Sequence, residues 1–504
     1  MILKMNTTSP CLQFQITKQQ KIYEPPRILQ NMDSSLQDFA DKAVNYAKKS
    51  GVQYCDVRVE QQEKKLVLIE NNQIDHIKTN NDKGIGIRIV KNGVWSFCSI
   101  TNPQSFNQIK EATDNSIRSA TYNKKNEKNE IDLYPNVANK TEINFPILKK
   151  PGLDELIKIG FECNEIILNT PKIIKSIINP WYAVNSKYFV NSEGSEILQN
   201  YTDTVIDMIA TSHEVGLTQS VNITEGGRGG LEQIINNEKV FQSAKDIASK
   251  ASQLINARPV KEEKSIVVMN PDFVSLLTHE ILGHPSEADR VLGKEMAWAG
   301  GAWWKGKIGD RIGSENLNVF DDPTIKESLG WYYFDDEGVE TKKTTLVEDG
   351  VLKNHMQNRE TAQIFNSSPT GNMRATNYRF MPLIRMACTC IGNGDWNVDE
   401  MIKEVKHGYL VSNMKVPSID MKRYNWSISC QYAQKIENGE ITDLLRDVIV
   451  MGTAPEFFES IDACGNDFTV RPITNCGKGD PMQSMIMGNG GPTIRGTATI
   501  KSVV

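Results

Sequence analysis

Residues 278–285 of the chain read Thr278-His279-Glu280-Ile281-Leu282-Gly283-His284-Pro285, in which two imidazoles bracket a carboxylate inside a helix-like run. Neutral imidazoles are common zinc ligands, and a carboxylate beside them can take a proton from a zinc-activated water. The two histidines are five residues apart, which places them about 140° apart on an ideal α-helix, whereas the spacing of H-E-x-x-H places them about 40° apart. A regular helix would therefore point one imidazole away from the other.

Gly283 and Pro285 flank the second histidine, and both interrupt regular helix. Glycine does so through its conformational freedom, and proline does so by disfavouring the αR region for His284. We therefore expect a π-type widening or a helix end at Gly283. Either would bring His284 back towards His279, and π-bulges are frequent at functional sites.

The start of this helix is also predicted from the sequence. Residues 266–269 form a buried, strand-like apolar run, Asn270 is a favourable N-cap, and Pro271 suits the first helical position. The histidine pair is therefore expected at the far end of a well-anchored helix.

The composition limits the function classes. A chain of 504 residues with 39% hydrophobic and 24% charged residues is expected to form two or three globular domains. A net charge of −5 gives no basic footprint for nucleic acid. The sequence shows no apolar run close to the roughly 18 residues of a membrane span, and residues 1–4 lack the apolar core of a signal peptide. We therefore expect a cytoplasmic protein that binds neither nucleic acid nor membrane.

The cysteines do not predict disulfides. There are nine, an odd number, and they are scattered without paired C-x-x-C spacing, which argues against a disulfide framework and a ribbon-type zinc site. Cys388 and Cys390 form the one close pair. They lie in a strand-like run, where residues i and i+2 share a face, and are predicted to be packing residues.

The N-terminal part predicts a helix on an antiparallel sheet. Residues 1–33 are polar and patternless, and we expect a loose tail. A capping-box spacing at residues 34–37 opens an amphipathic helix that ends before Gly51. Period-two alternation follows from Cys55 onward, and Asn92-Gly93 between two such runs is a strong hairpin signal.

A second pass of helix and strands is predicted further along. Residues 122–150 are rich in lysine and asparagine and predict an exposed polar insertion. Gly226–Gly230 lacks the G-K-[ST] ending of a phosphate loop, so a flexible turn is favoured there over a nucleotide site. Period-two patterns predict four short strands in this region, at residues 173–178, 182–190, 196–201 and 204–210.

These patterns define an α+β fold. We expect an N-terminal domain of helices on an antiparallel sheet over residues 34–257 and a β-rich C-terminal domain over residues 258–504, which carries the metal helix. Arg258-Pro259 marks the boundary. Short strand patterns dominate the second domain, and Asp349-Gly350 predicts a hairpin turn within it.

Two histidines are too few for a catalytic zinc, which generally takes three protein ligands and leaves one position for water. Cys464 and Cys476 both lie next to glycine in loop-like sequence near the C-terminus. Either thiolate could complete the site, and the residues alone do not choose between them.

The sequence resembles the TldD/PmbA metallopeptidases, whose signature is H-E-x-x-x-H with a distant cysteine as third ligand. The similarity covers nearly everything from about residue 34 onward. Besides residues 279–284, it is carried by the segments 54–59, 84–88, 335–339, 347–353, 371–374, 381–386 and 476–479.

The resemblance implies a zinc-dependent peptidase with one ion per catalytic subunit. It places His279, His284 and Cys476 on the metal-ligand positions and Glu280 on the catalytic glutamate. It also implies unfolded or extended peptides as substrates, and assembly as a homodimer or as a heterodimer with a related subunit that lacks the motif.

Two other functions compete with this hypothesis. The chain could be a non-catalytic, peptide-binding subunit of a heteromeric protease with a structural metal. Glu280 argues against that reading, because a structural site fills its fourth position with a protein ligand and needs no base. The chain could instead bind a nucleotide through its glycine runs, but no lysine is correctly placed after them.

Overall fold

The computed structural model describes residues 32–124, 130–235, 238–295 and 301–502. Residues 1–31 of the predicted N-terminal tail lie outside these ranges. The described residues confirm the predicted α+β class, with an N-terminal domain of helices on one sheet and a β-rich C-terminal domain.

The N-terminal domain is built on a single seven-stranded sheet in the order β3-β2-β1-β5-β6, with β4 and β7 both paired to β6. Its elements are α1 (Ser34–Lys49), β1 (Tyr54–Glu70), β2 (Gln73–Lys91), β3 (Val94–Thr101), α2 (Phe106–Asn123), β4 (Lys140–Asn144), α3 (Leu153–Leu168), β5 (Ile173–Asn191), β6 (Glu196–Glu214), β7 (Leu217–Arg228), α4 (Glu232–Ile235) and α5 (Glu238–Leu254).

The C-terminal domain contains an eight-stranded, a six-stranded and a two-stranded sheet. Its elements are β8 (Arg258–Pro259), β9 (Glu263–Met269), α6 (Pro271–Thr278), α7 (Ala288–Leu292), β10 (Val319–Asp321), β11 (Thr344–Glu348), β12 (Val351–Leu352), α8 (Arg359–Ile364), β13 (Met373–Arg374), β14 (Leu383–Ile384), β15 (Cys388–Ile391), α9 (Val398–Lys403), β16 (His407–Ile419), β17 (Asn425–Glu437), β18 (Glu440–Arg446), β19 (Val448–Thr453), α10 (Ala454–Glu459), β20 (Ala463–Cys464), β21 (Thr469–Lys478), β22 (Gln483–Gly491) and β23 (Ile494–Ser502).

The strand β8 at Arg258–Pro259 already pairs with β18 of the C-terminal sheet. We therefore propose the domain boundary just before Arg258. The predicted hairpin at Asp349-Gly350 is confirmed, since both residues have positive φ angles, of 48° and 74°, and join β11 to β12.

Several local predictions were wrong. The first helix is capped by Asp33, whose carboxylate accepts from the backbone N–H of Ser35 at 3.0 Å, and not by Ser34. The four short strands predicted between residues 173 and 210 are two long ones, β5 and β6, paired along almost their whole length. Strand β5 continues through Pro180, which pairs with Ile206 of β6.

The predicted polar insertion at residues 122–150 contains structure. Its residues 125–129 lie outside the described ranges, but β4 at Lys140–Asn144 pairs in parallel with β6, and Phe145 behind it is buried against Trp331 at 4.7 Å between ring centroids. The lysine- and asparagine-rich composition concealed this edge strand.

The predicted flexible turn at Gly226–Gly230 was also wrong, because its first residues end strand β7. Gly226 pairs with Val205 at a φ of 125°, and a Cβ there would lie 2.2 Å from the carbonyl oxygen of Thr204. Glycine is required by this close approach of two backbones.

Buried charges join the two domains. The Arg88 guanidinium forms ion pairs with Asp56 at 2.6 Å and with Glu337 of the C-terminal domain at 3.0 Å. The second oxygen of Glu337 accepts from the backbone N–H of Arg359 at 2.8 Å. Because an unpaired buried charge costs several kcal/mol, on the order of 3–5, this contact holds the domains in one relative position.

The metal helix α6 lies in the core of the C-terminal domain. Phe273, Leu277 and Ile281 are fully buried in its principal apolar cluster, which also contains residues of β9, β16 and β22. Within the described ranges, no helix is both long and apolar enough to cross a membrane.

Candidate metal centre

Helix α6 begins and ends as the sequence predicted. The Asn270 side chain accepts from the backbone N–H of Phe273 at 3.0 Å, and Pro271 occupies the first turn. The α-helix stops at Thr278, and His279–Gly283 form a π-helical turn, closed by a hydrogen bond from the His284 N–H to the His279 carbonyl. An i to i+5 hydrogen bond stacks residues five apart on one face. The predicted π-type widening is confirmed.

The space beside residue 283 in this turn is too small for a side chain, so that glycine is needed there. A Cβ at residue 283 would lie 2.0 Å from the sulfur of Met386, which is itself completely buried. The turn therefore packs against the strand region that precedes β15 more closely than any side chain would allow.

The turn brings the two imidazoles together. Their ring centroids are 4.7 Å apart and the planes are nearly perpendicular, at 81°. The Cys476 sulfur, from β21, lies 3.6 Å from the Nε2 of His284. One potential ligand atom from each of the three residues falls within 4.8 Å of the others, and the three residues are only 3–4% exposed.

The orientation of His279 is fixed by Asn489 of β22. The His279 Nδ1 is 3.0 Å from the Asn489 side-chain oxygen, while the Asn489 amide nitrogen donates to the Thr389 carbonyl at 3.1 Å. Since the second bond assigns the Asn489 oxygen as an acceptor, His279 must donate through Nδ1. A metal would therefore be bound through Nε2 of His279.

The orientation of His284 is fixed by Glu287. The His284 Nδ1 lies 3.1 Å from Glu287 Oε2, which also accepts from Arg290 at 2.8 Å and from Lys478 at 3.1 Å. Burial alone would raise the pKa of Glu287, but Lys478, His284 and Arg290 hold it well below its usual range. Because Glu287 is ionised, it accepts a hydrogen bond from Nδ1–H of His284. The other ring nitrogen, Nε2, then faces Cys476.

The chemistry of Cys476 also suits metal binding. Burial would raise the pKa of its thiol, but His279, Arg385 and His284 lower it well below the ordinary value. In the same way, burial would lower the pKa of His279, but the Cys476 thiolate raises it to about 9. A thiolate is the form of cysteine that binds metals.

The structure separates the two candidate cysteines. Cys464, in β20, lies apart from the histidines; its sulfur is 3.5 Å from the Asn316 carbonyl, and burial raises its thiol pKa to about 12. Cys388 and Cys390 are completely buried in β15 with their sulfurs 3.7 Å apart, as expected of packing residues.

Glu280 is the partly exposed member of the motif. Its side chain is 13% exposed, and its Oε2 accepts from Nη1 of Arg423 at 2.8 Å. Arg423 lies between β16 and β17, far from the motif in the sequence. The Oε1 of Glu280 lies outside this ion pair.

Sequence reasoning missed four residues that shape this centre. Lys478 lies in the family-like segment 476–479 without an assigned role, and Asn489, Glu287 and Arg423 were not predicted to act at the site. A pattern of glycines on either side of Asn489 marks a close backbone approach, which is a weak signal. For Arg423 the sequence offers none.

The donor set matches zinc. Two imidazole nitrogens and one thiolate sulfur are ligands that zinc prefers, and three protein ligands leave a fourth position for water or substrate. Hard cations such as magnesium and calcium take oxygen ligands, and this group has no oxygen among its three atoms.

Comparison with known proteins also indicates a metallopeptidase. The PmbA/TldA metallopeptidase C-terminal domain matches residues 262–499, and domain 1 of the same family matches residues 55–120. A metalloprotease of Methanocaldococcus jannaschii is 31% identical over 89% of this chain and 96% of its own length. A zinc metalloprotease TldD homolog of Saccharolobus solfataricus is 27% identical over 90% and 97% of the two chains.

Solved structures share the fold. A protein of Thermotoga maritima, described as a candidate modulator of a DNA gyrase, aligns with a TM-score of 0.76 over 92% of this chain and 99% of its own, at 18% identity. TldE from Thermococcus kodakarensis aligns with a TM-score of 0.71 over 92% and 100% of the two chains, also at 18% identity. At such identity the likeness shows the fold alone.

Fold and relatives together place the chain among the metallopeptidases. It belongs to the TldD/PmbA family.

Proposed function

We propose that the chain is a zinc-dependent peptidase in which His279, His284 and Cys476 hold one zinc ion and Glu280 is the general base. The observation that carries this proposal is the buried group of two imidazoles and a thiolate, with ligand atoms within 4.8 Å of one another. Zinc bound there would polarise the scissile carbonyl and lower the pKa of water.

The side chains of the protein supply the remaining chemistry. Asn489 and Glu287 accept hydrogen bonds from the Nδ1–H groups of His279 and His284, so that coordination of a metal would use the Nε2 atoms. Glu280 takes the proton of the attacking water and afterwards gives it to the leaving amine. The Glu280 carboxylate contributes to raising the pKa of His279 and so acts electrostatically on the ligand group.

We propose unfolded or extended peptides as substrates. The three ligand side chains are only 3–4% exposed and Glu280 is 13% exposed, so that a scissile bond must enter the site on a thin segment. A peptide bond on the surface of a folded domain is flanked by packed structure and does not fit this description. An added strand would gain main-chain hydrogen bonds independent of sequence, which gives broad specificity.

We also propose that the chain works as a dimer, either with itself or with a related subunit. The fold it shares with TldE supports a heteromeric assembly, since subunits of one fold can form equivalent surfaces. The alternative role, a non-catalytic subunit with a structural metal, is less well supported. The described ligand group holds three donors, while Glu280 lies beside it in an ion pair.

The test is metal analysis of the purified protein together with turnover of labelled, unfolded casein. We expect one zinc per chain, loss of turnover after treatment with a chelator, and recovery on adding zinc back. A protein that cleaves casein equally well after complete removal of its metal would contradict the proposal.

A further inference from the structure

Arg423 has unusual surroundings for a surface arginine. It lies in the turn between β16 and β17, where its φ angle is 60°. This left-handed conformation costs a residue with a Cβ roughly 1 kcal/mol, and glycine or asparagine would adopt it more easily. A strained residue persists where the surroundings determine it, and such residues cluster at functional sites.

The turn that carries Arg423 is rigidly built. The Asp420 carboxylate accepts from the backbone N–H groups of Lys422, Tyr424 and Asn425 at 2.8–3.0 Å. In addition, Trp303 donates its backbone N–H to the Lys422 carbonyl at 3.0 Å. The position of the Arg423 backbone is therefore fixed before any substrate arrives.

The Arg423 side chain points from this turn to the metal centre. Its Nη1 is 2.8 Å from Glu280 Oε2, and both side chains are largely shielded from water, at 15% and 13% exposure. Burial lowers the pKa of Arg423, against the attraction of Glu280 and of the Cys476 thiolate. The guanidinium therefore lies within the field of the ligand group.

The ion pair differs from the one that Arg359 makes. Arg359 binds Glu193 through both terminal nitrogens and the Tyr134 carbonyl through Nε. Arg423, by contrast, makes a single ion pair, and its buried Nε has no partner among the described residues. The missing hydrogen bond at Nε lowers the stability that Arg423 could add to the fold, because an unmade buried hydrogen bond costs about 1–3 kcal/mol.

We propose that Arg423 is a positioning residue that holds the Glu280 carboxylate for proton transfer. The ion pair fixes Oε2 and so the rotamer of Glu280, and it leaves Oε1 free to take the proton of the attacking water. Misplacement of a reacting group by about 1 Å can cost on the order of 100-fold in rate. This inference rests on the proposed role of Glu280.

The first test compares Arg423→Ala with Lys422→Ala, which removes a cation from the same turn without an assigned role. We expect Arg423→Ala to lower kcat on unfolded casein by about 10–100-fold, with KM changed less than about threefold and zinc content unchanged. Lys422→Ala should behave as wild type. Millimolar guanidinium should restore part of the kcat of Arg423→Ala, which a merely structural role would not predict.

The second test is a double-variant cycle with Glu280→Gln. If Arg423 acts through Glu280, Arg423→Ala should lower the residual turnover of Glu280→Gln no further. Should Arg423→Ala fail to fold, Arg423→Lys decides instead, and a lowered kcat with zinc retained supports the proposal.

Wild-type kcat in Arg423→Ala would overturn the assignment of Arg423. If the alanine variant does not fold, wild-type kcat in Arg423→Lys would do the same. The peptidase proposal would stay intact in either case if Glu280→Gln is inactive. Wild-type turnover in Glu280→Gln would instead remove the assignment of Glu280 as the base, and with it the assignment of Arg423.

Discussion

At the residue scale, a hydrogen-bond partner orients each of the two candidate ligand histidines, and another holds the backbone of the candidate ligand cysteine. Asn489 holds His279, Glu287 holds His284, and Arg385 donates to the Cys476 carbonyl at 2.6 Å. Because these partners are themselves buried and hydrogen-bonded, little rearrangement is needed when a metal binds. Without the family resemblance, the residues left Cys464 and Cys476 equal, since nothing local to either cysteine reveals which one faces the histidines.

The two cysteines give the first prediction. Cys476→Ser should lose most of its zinc, because a hydroxyl is a far poorer zinc ligand than a thiolate. Cys464→Ser is the matched control, since this buried cysteine lies next to glycine but contacts the Asn316 carbonyl instead of the histidines. The measurement is the zinc content of the purified variants. Equal zinc in both would remove Cys476 from the ligand set.

At the element scale, the π-helical turn His279–Gly283 places the two candidate ligand histidines on the same face of the helix. Its prediction succeeded because the five-residue spacing, Gly283 and Pro285 are all local signals. The prediction of four short strands between residues 173 and 210 failed for the opposite reason, since the length of β5 and β6 depends on their pairing with each other and with β1. Neighbouring strands are not visible in a local pattern.

The space around the turn gives the second prediction. Gly283→Ala should destabilise the protein by about 1–2 kcal/mol, because the overpacking against Met386 exceeds the gain in helix propensity. Zinc affinity should fall as well, since the Met386 sulfur lies 3.7 Å from the Asn489 amide that orients His279.

Thermal unfolding and zinc titration measure both effects. Gly301→Ala is the control, because a Cβ at Gly301 would meet no atom of the described residues within 4 Å. If Gly283→Ala and Gly301→Ala were equally stable and bound zinc equally well, close packing at the turn would not matter for the site.

At the scale of the whole molecule, the centre is assembled from segments far apart in the chain. The motif at residues 279–284 meets Cys476 and Asn489 from the C-terminal β21–β22 hairpin and Arg423 from the β16–β17 turn. The class of fold and the motif could be predicted from composition, periodicity and spacing. Arg423 could not, because its role depends on a contact 143 residues away in sequence.

Burial of the centre gives the third prediction, on the state of the substrate. A stable small domain must unfold locally before its chain can enter, and this step costs several kcal/mol. A destabilised variant of the same domain should therefore be cleaved faster by orders of magnitude, on the order of the ratio of unfolded populations. The measurement is the cleavage rate of the two domains under identical conditions. Similar rates would show that folded surfaces are recognised.

The role of Glu280 is tested most directly by Glu280→Gln, assayed at the same time for zinc content and for turnover of unfolded casein. The amide keeps the size of the side chain and leaves His279, His284 and Cys476 in place, but it cannot accept the proton of water. We predict wild-type zinc content and a loss of turnover of about 100- to 10,000-fold. A variant that retains its zinc and cleaves casein at near the wild-type rate would contradict the assignment of Glu280 as the base.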